Sequence, residues 1–166
     1  NNISGNTITD SFRGIYLSGS RNVISGNTIT DINTNDGIYL YSDSKYNTIT
    51  NNVLKNNDKH GIYLSDSDSN TISNNTIKDN GHSGIYLSSS DSNTISNNTI
   101  EENYEYGVYL VSNSDEIILI GSVSDVYVSS NSDLTIKNYL MIQVKLADNL
   151  VNGSDIQIKD NDDILY

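Results

Sequence analysis

The tetrapeptide Gly-Ile/Val-Tyr-Leu occurs five times, starting at Gly14, Gly37, Gly61, Gly84 and Gly107, at intervals of 23, 24, 23 and 23 residues. A repeat of that length is one supersecondary unit, and such units must stack on one another to bury a core. Between the tetrapeptides stand paired phrases of Asn-Thr-Ile type, clearest at Asn70-Thr71-Ile72 with Asn75-Thr76-Ile77 and at Asn93-Thr94-Ile95 with Asn98-Thr99-Ile100. Each unit thus holds three apolar beats separated by Asn, Ser, Asp and Gly. The beats are shorter than the roughly 10 residues a helix needs, so they read as strands. In Gly84-Ile85-Tyr86-Leu87 the period of two sends Ile85 and Leu87 to one face and Tyr86 to the other, and by the same rule Ile72 and Ile77 point inward. These features predict an all-β fold, a right-handed single-stranded parallel β-helix of five to six coils with about 23 residues each and three sheets. The hand follows from that of parallel crossovers.

Asn, Ser and Thr supply 63 of the 166 residues. That bias elsewhere signals disorder, but on a coil it has a use. Asn22, Asn47, Asn70 and Asn93 fall at one corner of successive coils, where side-chain amides donate and accept along the column. Asn also tolerates the left-handed backbone of tight corners. The absence of Pro fits strands whose N–H groups must all reach a neighbouring coil. With no Cys, disulfides and Cys-ligated metal are excluded. The 21 acidic and 9 basic residues give a net charge of −12, which argues against nucleic acid as a partner. Apolar runs stay far below the roughly 18 residues of a membrane helix, so no membrane insertion is expected in this segment.

The phrase Gly-Ile-Tyr-Leu, a Ser-rich turn and Asn-Thr-Ile-Ser-Asn-Asn-Thr-Ile together resemble the repeats of the NosD-like family. That family is similar to the wider carbohydrate-binding and sugar-hydrolase (CASH) repeat proteins of archaeal and bacterial surfaces. The resemblance covers residues 1–114 and implies a β-helix whose repeated residues build the coil, with catalytic residues, where relatives have them, carried on insertions. It also implies an extracellular or cell-surface location, with the periplasm as an alternative, and membership of a larger multidomain chain; Asn1 already stands inside a repeated phrase. Residues 115–138 read as a degenerate last coil and connection, because Ile118 falls 23 residues after Ile95 and Val123 falls 23 after Ile100. Residues 139–166, with strand-like alternation at Tyr139 to Leu146 and Asp155 to Lys159, read as the start of an immunoglobulin-like domain or as a C-terminal cap.

Four groups of residues are candidates for chemistry. Tyr16, Tyr39, Tyr63, Tyr86 and Tyr109, with Tyr41 on the same face, form an outward aromatic column suited to the C–H faces and hydroxyl edges of sugars; the bland alternative is cross-strand stabilisation. Asp10, Asp31, Asn56, Asp79 and Glu102 form a second column, which either offers paired carboxylates for glycoside chemistry or calcium, or is a solvated corner beside Lys55 and Lys78. Asp66, Asp68 and Asp91 cluster in the turn after the tyrosine strand as a candidate calcium site. His60 and His82 occupy one corner of consecutive coils, where two imidazoles can share a metal, although Cys is missing and Met141 is distant. An enzyme should show a non-repeated cluster of convergent Asp, Arg, Lys or His, and the linear sequence displays none. The expected function is therefore a non-catalytic rigid scaffold and interaction surface, with polysaccharide or glycan along the tyrosines and no required cofactor. The alternatives are a fragment of a polysaccharide lyase or glycoside hydrolase, and a NosD-like periplasmic accessory protein for metal-site maturation.

Overall fold

In the computed structural model of the protein, residues 1–121, 123 and 125–137 are described in full and residues 157–160 and 163–165 by their backbone. The chain winds as the repeat predicts. Each of the first five coils contributes one short strand to each of three parallel sheets, and among the described residues the later turns add strands to the first and third. The first sheet holds Asn2–Ser4, Val23–Ser25, Thr48–Thr50, Thr71–Ser73, Thr94–Ser96, Ile117–Ile120 and Leu134–Lys137. The second holds Thr7–Thr9, Thr28–Thr30, Val53–Lys55, Thr76–Lys78 and Thr99–Glu101. The third carries the tyrosines, on Ile15–Leu17, Ile38–Leu40, Ile62–Ser65, Ile85–Ser88, Val108–Val111 and Val126–Val128.

Register is in phase with the repeat: Ile72 pairs with Ile49 and Ile95, Ile77 with Leu54 and Ile100, and Tyr86 with Tyr63 and Tyr109. Inward residues accordingly stack into one core column in each of the first two sheets and two in the third, and Ile72, Ile77, Ile85, Leu87 and Ile95 have no exposed surface. The register of the sixth coil corrects the sequence expectation. Ile118 lies opposite Thr94 and points outward, while Leu119 lies opposite Ile95 and is buried. The turn before this strand is one residue longer than in the coil before it, and the 23-residue arithmetic misses that insertion. Val123 is buried as expected. Beyond it, Gln157–Asp160 joins the first sheet parallel to Leu134–Lys137, and Asp163–Leu165 returns antiparallel. Residues 138–156, on which most of the immunoglobulin-like or cap reading falls, lie outside the described residues.

The corners hold the coils in phase. Asn22 donates from its backbone N–H and its side-chain amide to Asn47 Oδ1 at 2.8 and 3.0 Å, and the backbone links continue from Asn47 to Asn70 and from Asn70 to Asn93. A second ladder runs through Asn6, Asn27, Asn52, Asn75 and Asn98, and a third through Asn57, Asn80 and Asn103. Ser44, Ser67, Ser90, Ser114 and Ser132 form a fourth buried column, three of whose steps are backbone N–H to Oγ bonds of 3.1 to 3.3 Å. Beside the Asn ladders the backbone turns left-handed at Gly5, Gly26, Asn51, Asn74 and Asn97, which are residue types suited to positive φ. Gly84 is required for a different reason. A Cβ there would stand 2.6 Å from Ile100 Cγ2 and 2.8 Å from the Gly107 carbonyl oxygen, so the tetrapeptide begins where two coils nearly touch.

Truncating Ile72 or Ile95 to Ala should each cost about 2 to 5 kcal/mol. Because the two are paired neighbours the double variant should depart from additivity. Chemical denaturation checks this, and an unchanged midpoint would contradict the inward column.

Candidate functional site

The third sheet turns one tyrosine per coil outward. From Tyr16 through Tyr39, Tyr63, Tyr86 and Tyr109 to Tyr127, successive ring centroids are 4.6 to 5.1 Å apart. Tyr41 packs on Tyr16 at 4.5 Å, and Tyr106 packs on both Tyr109 and Tyr127. Ring orientation determines what the strip can offer a ligand. Tyr39 and Tyr63 stack at 16°, His60 lies flat on Tyr86 at 4.5 Å and 5°, and the Arg13 guanidinium sits 4.7 Å from the centre of the Tyr16 ring. The rings thus cover part of one another's faces, and the row's remaining offering is edges and phenol hydroxyls. Burial raises the Tyr39, Tyr63, Tyr86 and Tyr109 hydroxyls above the ordinary phenol range, with Ser65 pulling Tyr39 and Tyr63 back through hydrogen bonds. The hydroxyls therefore stay protonated and able both to donate and to accept.

Alongside this strip runs the corner between the second and third sheets. The residue before each tetrapeptide Gly is in turn Arg13, Asp36, His60, Ser83 and Tyr106; the one before that is Phe12, Asn35, Lys59, His82 and Glu105. These positions lack the recurrence seen elsewhere in the coil, yet stacking brings their side chains together. Asp36 Oδ1 accepts the His60 N–H at 3.0 Å, and His60 Nδ1 accepts the Ser83 N–H at 3.1 Å. Glu105 takes the Ser83 hydroxyl on Oε2 at 3.1 Å and meets His82 Nδ1 through Oε1 at 2.9 Å. The two imidazole centroids are 5.2 Å apart. Burial is the main cause holding His60 down at about 4, and the His82 charge acts in the same direction. Burial raises the Asp36 carboxyl, against the hydrogen bond from His60 and the Lys59 charge. At neutral pH His60 is thus an uncharged ring whose Nδ1 is committed as an acceptor, which leaves the proton on Nε2. The Glu105 carboxylate holds a proton on His82 Nδ1, which leaves His82 Nε2 as an acceptor when the ring is neutral.

Most of the other acidic candidates have an oxygen engaged by a neighbouring residue. Asp68 accepts the Asp91 N–H at 3.0 Å and meets Lys45 at 3.1 Å; Asp91 accepts the Asp115 N–H at 2.9 Å; Asp66 accepts the Ser65 hydroxyl at 2.9 Å. Asp10, Asp31, Asn56, Asp79 and Glu102 all have positive φ, between 50° and 56°, and so form the turning residue of a corner. Asp79 reaches Lys55 at 3.5 Å, and Asn56 reaches Asp31 at 3.4 Å. Among the described residues no three His, Cys, Asp or Glu side chains are placed to hold a metal ion. A recess of about 60 Å³ lined by Ile100, Glu101, Glu102, Asn103, Gly107 and Asp125 has room for water but not for a sugar ring.

Residues 1–124 match the family described as the right-handed β-helix region. The chain belongs to that family. No curated protein matches it. Among solved structures it resembles the periplasmic alginate epimerase AlgG, with a TM-score of 0.73 and 19% identity over 88% of this chain and 39% of that one. The D317A mutant of that epimerase gives a TM-score of 0.74 at the same identity and coverage. It also resembles the DFA-IIIase from Arthrobacter chlorophenolicus A6 in complex with GF2, with a TM-score of 0.67 and 11% identity over 93% of this chain and 50% of that one. At these identities the likeness is one of fold, and the chain spans half or less of each of these proteins. No helix among the described residues is long and apolar enough to cross a membrane.

In this β-helix region the sequence pointed to the regular tyrosines and to His60 and His82 at one corner, but missed Tyr106, Tyr127 and the convergence of Asp36, Ser83 and Glu105 on the two imidazoles. The available signal was negative: two positions before Gly where the repeat stops repeating. A pH titration tests the geometry of His60. Its folded pKa of about 4 lies below the unfolded 6.5, so the unfolded chain binds the proton more readily between those values. The His60 contribution to stability should be full above about pH 6.5 and fall by up to about 3 kcal/mol as pH drops to 4. Asp36, shifted upward, acts oppositely as pH rises through its raised value, so the comparison is wild type against His60→Asn: the variant should lack the acid-side fall.

Proposed function

We propose that this chain is a non-catalytic scaffold, exported to the cell surface or periplasm, that binds polysaccharide along the outer face of its third sheet. The observation that carries the reading is the tyrosine strip. It places a phenol in each of six coils at a spacing close to one coil of rise, so an extended glycan lying along the rod meets a repeating row of hydroxyl partners. Face-on sugar stacking has a smaller part in this reading, because several ring faces are covered by neighbouring rings, His60 or Arg13. Similarity in fold to an alginate epimerase supports a role around polysaccharides. Replacing Tyr63 and Tyr86 together by Phe, which keeps the ring packing and deletes two hydroxyls, should weaken binding to an immobilised glycan by about tenfold or more with an unchanged thermal midpoint. Binding that survives the double substitution removes the strip from consideration.

A second reading, part of a polysaccharide lyase or glycoside hydrolase, is favoured by the convergence of Asp36, His60, His82 and Glu105. Its assay is the release of reducing ends or unsaturated sugars from a polysaccharide panel, with and without calcium. The scaffold reading expects no release above that of a His82→Ala, Glu105→Gln variant, and release that disappears in that variant would establish the enzyme.

A further inference from the structure

The strip has two margins, one of mixed charge and one acidic. On the side of the non-repeating corner Asp36 and Glu105 lie among Arg13, Lys59 and the two imidazoles. On the other side the turn after the third-sheet strand carries Asp43, Asp66, Asp68, Asp91 and Asp115. Of these, Asp43 and Asp68 share Lys45, while Asp68 and Asp91 are fixed by backbone N–H groups of the next coil. On the acidic side Lys45 is occupied between two carboxylates and Arg21 lies over the Tyr46 ring. With a net charge of −12, the field over the strip opposes polyanions. Centrally, His60 stands against Tyr63 and Tyr86 with His82 beside it, and the two rings have opposite remaining functions: His82, held through Nδ1 by Glu105, offers Nε2 as an acceptor in its neutral form, and His60, held through Nδ1 by the Ser83 backbone N–H, keeps an N–H donor. An acceptor and a donor on rings 5.2 Å apart suit neighbouring hydroxyls of one sugar, one giving its proton and the other receiving one. A structural role would be expected to recur from coil to coil, as the Asn and Ser ladders do, but this pair occurs at one place only.

We propose that the strip selects an uncharged or amine-bearing glycan and rejects polyuronates, with His82, positioned by Glu105, and His60 reading the hydroxyls of one sugar unit. This rests on the strip being the glycan-binding surface, and it departs from what the fold likeness to an alginate epimerase would suggest.

The test is affinity electrophoresis and calorimetry at low salt with neutral gluco- and manno-oligosaccharides, chitosan oligosaccharides, and oligoalginate or oligogalacturonate, the uronates with calcium and with chelator. Neutral or amine-bearing chains should bind about tenfold or more tighter than uronates. Glu105→Gln and His82→Phe should each lower neutral-glycan affinity by about fivefold. Asp43→Asn with Asp66→Asn provides a readout that does not depend on those side chains. Both residues have positive φ, at 62° and 49°, where Asn is well tolerated. Removing the two charges should raise uronate affinity by about threefold at low salt and leave it unchanged at 0.5 M salt. Uronate binding as tight as neutral binding, in either calcium condition, overturns the inference while the strip stands, provided Tyr63→Phe with Tyr86→Phe weakens that binding by about tenfold or more. If no glycan binds, or binding ignores the tyrosine hydroxyls, the strip reading itself fails and this inference with it.

Discussion

A solenoid of three-residue strands depends on satisfying its corners. The strands pair with the coils on either side, but the backbone between them must turn every few residues, and each turn leaves N–H and C=O groups without a ladder partner inside the protein. A buried group left in that state costs about 1 to 3 kcal/mol. The side-chain amide of Asn solves this because it carries both donor and acceptor functions. Asn75 Oδ1 accepts the Asn52 backbone N–H and side-chain amide, while its own Nδ2 donates to the Ile49 carbonyl and to Asn98 Oδ1. The same bonds help fix the register, since a one-residue slip that brings the following residue into this ladder would set Thr or Val where the amide must be. Residue types that elsewhere signal disorder are here the buried scaffold of the corners.

This division of labour explains where function can reside. Four positions per coil are committed to the core, several to the ladders, and the tetrapeptide Gly to the close approach of neighbouring coils. The two residues before that Gly are released from all of these duties, and they carry Asp36, Lys59, His60, His82 and Glu105. Parallel in-register stacking then acts in a second way: residues about 23 apart in sequence are neighbours in space, so a few unrepeated side chains on successive coils become a cluster. The tyrosines follow the opposite logic. They repeat because each stabilises the next, and their mutual packing turns hydroxyls rather than open ring faces to a ligand.

Most of the fold was legible because the repeat is regular and the inward residues alternate with period two. The ladder at Asn22, Asn47, Asn70 and Asn93 was readable from spacing alone. The ladders through Asn52 and Asn57 and the serine column were harder to see, because their members stand beside other Asn and Ser residues and only burial separates them. The sixth coil deceived the arithmetic: a run of four aliphatics at Ile117–Ile120 offers two registers, and the longer turn before it selects the one that buries Ile117 and Leu119. At the corner, spacing alone put His60 beside His82, but Asp36, Ser83 and Glu105 were not legible as their partners, because linear reading recognises likeness more readily than complementarity.

The dependence of the whole rod on amide ladders is tested most directly by the unfolding free energy of Asn75→Asp at pH 7. Asp keeps the acceptor and the shape, removes the two donated bonds and places a charge in a buried column. The account predicts a loss of at least about 3 kcal/mol relative to wild type. A variant with wild-type stability at that pH would contradict it.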